Sequence, residues 1–435
     1  MIRHAVTCIV LILFVAPLAA NDRPPVTQPR ATSGDSAIEP NWKEKLAITV
    51  GMKDADIVGA GDKVIQAGVD YVARLGGGTV KILPGVYRLR NSVLLQSKVR
   101  LVGSGADTIL FKEPSASTKL AADSDWYDQE ITLENADRFQ VGDGVTLRAR
   151  GDGKSYDTVI KRTLVARTGN RFKLDRPLRD NFWRRGNAIA VSVFPLVTGE
   201  YITDIAIENL TLDGNRTKND NLDGNYGGCI FLQDCSRVAI RGVTARNNNG
   251  DGISWQICHD VLVENCTSEN NAQLGLHPGS GSQRPIIRNN TLKNNDIGIF
   301  FCWGVKYGLA EKNTILGNRV GISVGHRDTD NLITLNRIHA SKDVGILFRP
   351  ERGKDFCGHR NRLVKNQLVD NGGMNGAAID IQGGTEAITI TENEFTESRG
   401  PAQRVAVRMG PQTRDITMQG NSIKGFAKET ETGGK

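Results

Sequence analysis

The segment Gly228-Cys229-Ile230-Phe231-Leu232 returns as Asp251-Gly252-Ile253-Ser254-Trp255, and again as Leu274-Gly275-Leu276-His277-Pro278, Ile297-Gly298-Ile299-Phe300-Phe301 and Val320-Gly321-Ile322-Ser323-Val324. Each copy starts 23 residues after the last. A fixed period of this length marks a stacked or radial repeat, in which no unit buries its apolar face alone. A second column keeps an apolar residue in register through Ile207, Ile240, Val263, Ile287, Ala310, Ile333, Leu363, Ile390 and Met418, while the steps between them vary from 23 to 33. Loops of different length are let out between rungs whose cores stay aligned.

Three residues after the later members stands an asparagine: Asn290, Asn313, Asn336, Asn366, Asn393 and Asn421. Stacked amides at one bend can bond to the copies above and below, which satisfies polar groups at a buried turn. The expected fold is all-β, a parallel β-helix with rungs ~4.8 Å apart. A propeller needs a longer period and antiparallel blades, and a leucine-rich repeat needs tightly spaced leucines that this chain lacks.

Outward from the repeat, Asp62 to Leu75 sets Val64, Ile65, Val69, Val72 and Leu75 on one helical face. This predicts an amphipathic helix that plugs the open end of the stack. The strand-like runs GGGTVKILPGVYRL (76–89) and VRLVGSGADTIL (99–110) follow, and together they resemble the N-terminal part of the pectate-lyase superfamily. That resemblance implies a right-handed coil and a polysaccharide lying along one sheet face. The chain has Gly61-Asp62-Lys63 where many members carry Asp-Asp-Thr.

The expected organisation is a leader at 1–20, a linker at 21–42, a cap with the first rungs at 43–119, an antiparallel β insertion at 120–195, the main coil at 196–424 and a fraying tail at 425–435. The leader reading rests on Arg3 and His4, an apolar run from Ala5 to Val15, and Pro17-Leu18-Ala19-Ala20. It points to a secreted or periplasmic protein; the apolar run is too short to span a membrane, and no later stretch is long and apolar enough to do so. Loss of Arg3 with the leader lowers the net charge from +7 to +6. Outside the cytoplasm, such an excess suits an acidic polysaccharide rather than nucleic acid. Nothing in the sequence sets an oligomeric state. Six cysteines remain after the leader, with no CxxC spacing for zinc; Cys235 and Cys258, 23 apart, stack either as a disulfide or as two thiols.

Alternation within the repeated strand sends Phe231, Ser254, His277, Phe300, Ser323, Leu347, Asp380 and Arg408 outward, and two residues on, Gln233, Gln256, Gly279, Cys302, Gly325, Arg349 and Gln382. Two stretches are poor solenoid material: Leu276 to Pro285, and Gly325-His326-Arg327-Asp328-Thr329-Asp330-Asn331. Locally costly sequence is where function concentrates. The candidate catalytic set is His277, His326, Arg349, Arg327, Asp328 and Glu351, with Trp303, Arg284, Tyr307, Gln256 and Asp380 as substrate contacts. An imidazole base and a cation for a carboxylate suit elimination or epimerisation of a uronate. Asp328, Asp330, Glu351 and Asp380 offer carboxyl pairs for glycoside hydrolysis instead. The sequence establishes no cofactor; calcium is the candidate, since Asp328 and Asp330 present hard oxygen ligands. The competing reading is a binding or structural coil in which Arg327 pairs with Glu351, and Asp328 with Arg352, across rungs.

Overall fold

The computed structural model describes residues 39–150 and 157–433, so the expected leader and most of the linker lie outside the described residues. Three parallel sheets of 13, 11 and 11 strands run along the molecule, each turn of a right-handed coil giving one strand to each. The first sheet runs from Leu46–Gly51 to Thr417–Gln419, the second from Gly85–Leu89 to Ser422–Lys424, and the third from Val93–Leu94 through Val197–Glu200 to Lys428–Thr432.

The expected apolar column is one continuous line of register partners, from Ile207↔Ile240 to Ile390↔Met418 in the first sheet. All its members but Met418 are fully buried in a single core. The repeated glycines have a steric cause. A Cβ on Gly275, Gly298, Gly321 or Gly345 would collide with the backbone carbonyl of the next rung, so only hydrogen fits there.

The asparagine ladder forms in register: Asn290 Nδ2 donates to Asn313 Oδ1 at 3.0 Å, and the chain of bonds continues through Asn336, Asn366 and Asn393 to Asn421. Each Oδ1 also takes a peptide N–H from the rung before, as Asn313 does from Asn290 at 3.0 Å. A second ladder, Asn271–Asn295–Asn318, lies on another bend at 3.0 and 3.2 Å.

Helix α1 (Asp62–Arg74) turns Ile65, Gly68, Val69 and Val72 onto the first sheet. The insertion is a six-stranded antiparallel sheet, Ser117–Lys119 to Ile189–Val191, with its own core around Leu147, Phe172 and Phe182. It stands over the first rungs of the third sheet, where Lys161 lies 3.8 Å from the Phe231 ring centroid and bonds Tyr226 O at 2.9 Å. The segment expected to fray supplies a last strand, Lys428–Thr432, paired with Val405–Met409. Cys235 and Cys258 stack as free thiols. No helix among the described residues is long and apolar enough to cross a membrane.

Candidate functional site

The outward column of the third sheet has the predicted register, Ser254↔His277 and Phe300↔Ser323↔Leu347↔Asp380↔Arg408. Facing outward is not the same as being open. The loop after Leu212 crosses the column so that Gly224 O accepts from Ser254 Oγ at 2.6 Å, and both Ser254 and His277 are buried. His277 Nδ1 lies 2.8 Å from Asp251 Oδ2, while its Nε2 is enclosed without a partner. Burial raises the Asp251 carboxyl above its ordinary value and the His277 contact pulls it back. His277 is 2% exposed, so a polymer has no path to this imidazole in this arrangement.

The turn after Val320–Val324 is different. His326 and Arg327 take left-handed backbone at φ 45° and 68°, which costs ~1 kcal/mol or more for each residue bearing a Cβ. Asp328 holds the turn in that shape. Its Oδ1 accepts the N–H groups of Gly304 and Val305 at 2.9 Å, and its Oδ2 accepts that of Gly325 at 3.0 Å. Arg349 adds a fourth contact at 3.3 Å. Burial pushes this carboxyl up to about 7, against Arg349 and the three N–H donors, which hold it down. Asp328 is therefore an internal peg rather than a group facing substrate.

Arg349 is likewise committed: Nε to Glu351 Oε1 at 3.0 Å, Nη1 to Ser323 Oγ at 2.8 Å and Nη2 to Phe301 O at 3.1 Å. Its guanidinium lies 4.4 Å over the Phe300 ring, which in turn meets His277 edge-on at 5.4 Å. Glu351 Oε2 approaches His326 Nδ1 at 3.4 Å. Gly325 leaves room for this pair, since a Cβ there would strike the Glu351 carboxylate and the Arg349 guanidinium.

The His326 ring sits edge-on between Trp303, 4.5 Å away, and Phe356, 5.6 Å away. Burial lowers its pKa from the ordinary 6.5; Glu351 works against that, and Arg352, Arg349 and Arg327 reinforce it. Trp303 itself is 51% exposed. Arg327 and Arg352 are exposed and stack on the same Phe356 ring at 4.0 and 3.9 Å. Neither guanidinium has a carboxylate partner among the described residues, so the expected pairs Arg327–Glu351 and Asp328–Arg352 do not form.

The structure thus gathers Trp303, His326, Arg327, Asp328, Arg349 and Glu351 into one cluster and adds Arg352 and Phe356. Phe356 gives no periodic signal, because it sits on a short 3-10 turn inside a let-out loop. His277 touches the cluster only through Phe300. Three expected substrate contacts are inside the protein. Gln256 and Tyr307 are buried, and Arg284 is held by Asp260 at 2.8 and 2.9 Å. Arg284 and Tyr307 belong to a left-handed column, Asp204, Arg237, Asp260, Arg284, Tyr307, Asp330 and Arg360, whose charges pair between rungs. The ion-pair ladder exists, at that bend. Asp380 lies farther along the outer face, in a separate cavity.

The carboxylates expected to suit calcium are otherwise engaged: Asp328 by peptide N–H groups and Asp330 by Arg360 at 2.7 and 2.9 Å. Among the described residues no three His, Cys, Asp or Glu side chains converge to hold a metal ion. These residues do not fit the ion.

A family model described as a right-handed β-helix region matches residues 228–395. The ORF18 protein of Geobacillus virus E2 is similar in structure, with a TM-score of 0.53 at 12% identity over 88% of this chain and 62% of that one. So is an exopolygalacturonase of Thermotoga maritima, with a TM-score of 0.51 at 11% identity over 89% and 92%. The A-module of the Azotobacter vinelandii mannuronan C-5 epimerase AlgE6 aligns with a TM-score of 0.49 at 15% identity over 88% and 95%. No curated protein sequence matches. At these identities the likeness to the first two is one of fold, and with the three sheets, the ladders and the matched segment it makes this chain a right-handed parallel β-helix protein.

Proposed function

We propose that this is an exported carbohydrate-active enzyme that binds an acidic polysaccharide across the His326 turn and acts by removing the proton α to a uronate carboxylate. One observation carries the reading. Arg327 and Arg352 are two exposed guanidinium groups stacked on one aromatic ring, with no carboxylate partner among the described residues to neutralise them. Cations arranged in advance for an absent anion favour a carboxylate-bearing ligand. The half-exposed Trp303 beside them supplies an apolar face for a sugar ring. The leader-like 1–20 supports export.

In this mechanism His326 is the base. Its lowered pKa keeps the ring neutral at neutral pH, and Glu351 orients it through Nδ1. Nε2 is the acceptor, enclosed without a partner among the described residues in a ring flanked by Trp303 and Phe356. Trp303, the more exposed of those rings, turns onto the sugar and uncovers it. As the C–H bond breaks, its electrons move into the carboxylate and the proton passes to His326. Arg327 and Arg352 stabilise the resulting dianion. The adjacent C–O bond then breaks as a C=C bond forms, and the departing oxygen takes the proton from His326 or water, which cleaves the chain; a proton delivered from water to the opposite face instead epimerises the sugar. Hydrolysis is less well supported, because Asp328, Asp330 and Glu351 are all tied to internal partners.

A panel of uronate polymers tests this. New ultraviolet absorbance from an unsaturated uronate is expected, or deuterium uptake from heavy water into intact chains if the reaction is epimerisation. New reducing ends without either signal overturn the elimination chemistry in favour of hydrolysis. Retention on a polyuronate column with no product overturns catalysis and leaves binding.

A further inference from the structure

A cavity of about 750 Å³ opens on the same sheet face beyond the His326 cluster, beginning at Pro350 and bounded by the last strand. Its floor is the continuation of the outward column, Asp380↔Arg408↔Glu431. Most of the polar groups there are satisfied. Arg408 Nε donates to Glu431 Oε2 at 3.0 Å and Nη2 to Asn375 O at 2.8 Å, while Lys428 Nζ donates to Glu431 Oε1 at 2.9 Å. Asp380 is the exception. Gln382 donates to its Oδ2 at 3.0 Å and Arg408 stands 3.7 Å from the same oxygen, but Oδ1 is enclosed with no partner among the described residues.

We infer that this cavity is a subsite for an uncharged, hydroxyl-bearing sugar unit, with Asp380 Oδ1 accepting from one of its hydroxyls. An unused carboxylate oxygen demands a donor and repels another carboxylate, so a uronate is the wrong occupant. The amides of Gln382, Asn375 and Gln403 line the same space and suit hydroxyl groups. With two guanidinium groups at the His326 turn, the outer face changes from a place for an acidic unit to a place for a neutral one. The two places lie one to three rungs apart, at ~4.8 Å per rung, which is close to the length of one to three sugar units. The substrate class is then a mixed polymer of acidic and neutral sugars. This rests on the proposed polysaccharide reading.

The test is calorimetric titration of the full chain in a His326→Ala background, which removes turnover. The probes are a short oligogalacturonate, acidic in every unit, and an oligosaccharide alternating uronate with neutral hexose. The parent is expected to prefer the alternating probe. Asp380→Ala should weaken that probe about tenfold and leave the all-acidic one unchanged. Pro411→Trp, which blocks the exposed mouth without touching Asp380, should do the same at an unaltered melting temperature. If both variants leave the affinity for the alternating probe unchanged, the subsite is wrong. Loss of binding in Arg327→Ala/Arg352→Ala but not in Asp380→Ala sinks the cavity alone. The reverse result sinks the guanidinium reading and keeps the cavity, and a parent that binds neither probe sinks both.

Discussion

Two histidine–carboxylate pairs stand two rungs apart on one face, and they meet opposite fates. His277 sits within a strand, bonded to Asp251 at 2.8 Å and buried beside Ser254, which the loop after Leu212 reaches. His326 sits just past a strand end, on left-handed backbone, 3.4 Å from Glu351 and beside a half-exposed tryptophan. The first pair is hydrogen-bonded like a built core element; the second is strained, looser and ringed by cations. The repeat assigns a residue to a column, but whether that column is open depends on what segments from elsewhere lie across it.

The largest effect that sharpens this contrast is expected from Asp328→Ala. Removing the peg leaves three peptide N–H groups and Arg349 without their acceptor, a loss of about 3 to 5 kcal/mol. Denaturant titration should show the loss. Asp328→Asn should recover part of it, and an unchanged unfolding midpoint would contradict the peg assignment. Next comes the Arg327→Ala/Arg352→Ala double variant. It should weaken polyuronate binding about a hundredfold at low salt with an unchanged melting temperature, because neither group holds an internal carboxylate. Raising the salt should weaken the parent's binding and leave the double variant's nearly flat.

The smallest effect concerns pH. His326 is held below 6.5 in the folded chain, so the unfolded chain binds its proton first as pH falls. Its contribution to stability is therefore full above 6.5 and is lost as pH falls from there towards the depressed value. The acid limb of the rate profile should likewise lie below 6.5 and move upward, by less than one unit, in the arginine double variant, since both cations disfavour the imidazolium. A limb at or above 6.5 in the parent would remove the reason for choosing His326.

The fold was legible because its causes are periodic. Stacked apolar residues, glycines pressed against the next carbonyl, and asparagines bonding to their own copies all recur at the rung spacing. The second ladder was equally open to reading, since Asn271, Asn295 and Asn318 keep the same step. The site was only half legible. His326, Arg327 and Trp303 stood out because charged and aromatic residues crowded a turn that a plain rung would fill cheaply. Burial was not readable: Gln256 and His277 obey the outward alternation and are covered, and Tyr307 is swallowed by its bend. Nor was the aperiodic partner, Phe356, which comes from a let-out loop and decides where Arg327 and Arg352 point. Spacing alone joined those arginines to Glu351 and Asp328, whereas the ion-pair ladder runs along the column of Asp260, Arg284, Asp330 and Arg360.

The most direct measurement is turnover of the best uronate polymer by His326→Ala and His277→Ala, side by side and each corrected for folded fraction. His326→Ala is expected to lose at least about a hundredfold in kcat with little change in stability. His277→Ala should instead lower stability, by taking the imidazole from Asp251 Oδ2 in the interior and leaving the Leu274 N–H on Oδ1, and keep kcat near the parent value per folded molecule. A His277→Ala protein that folds like the parent and has lost its turnover, beside an active His326→Ala, would contradict the choice of His326 as base.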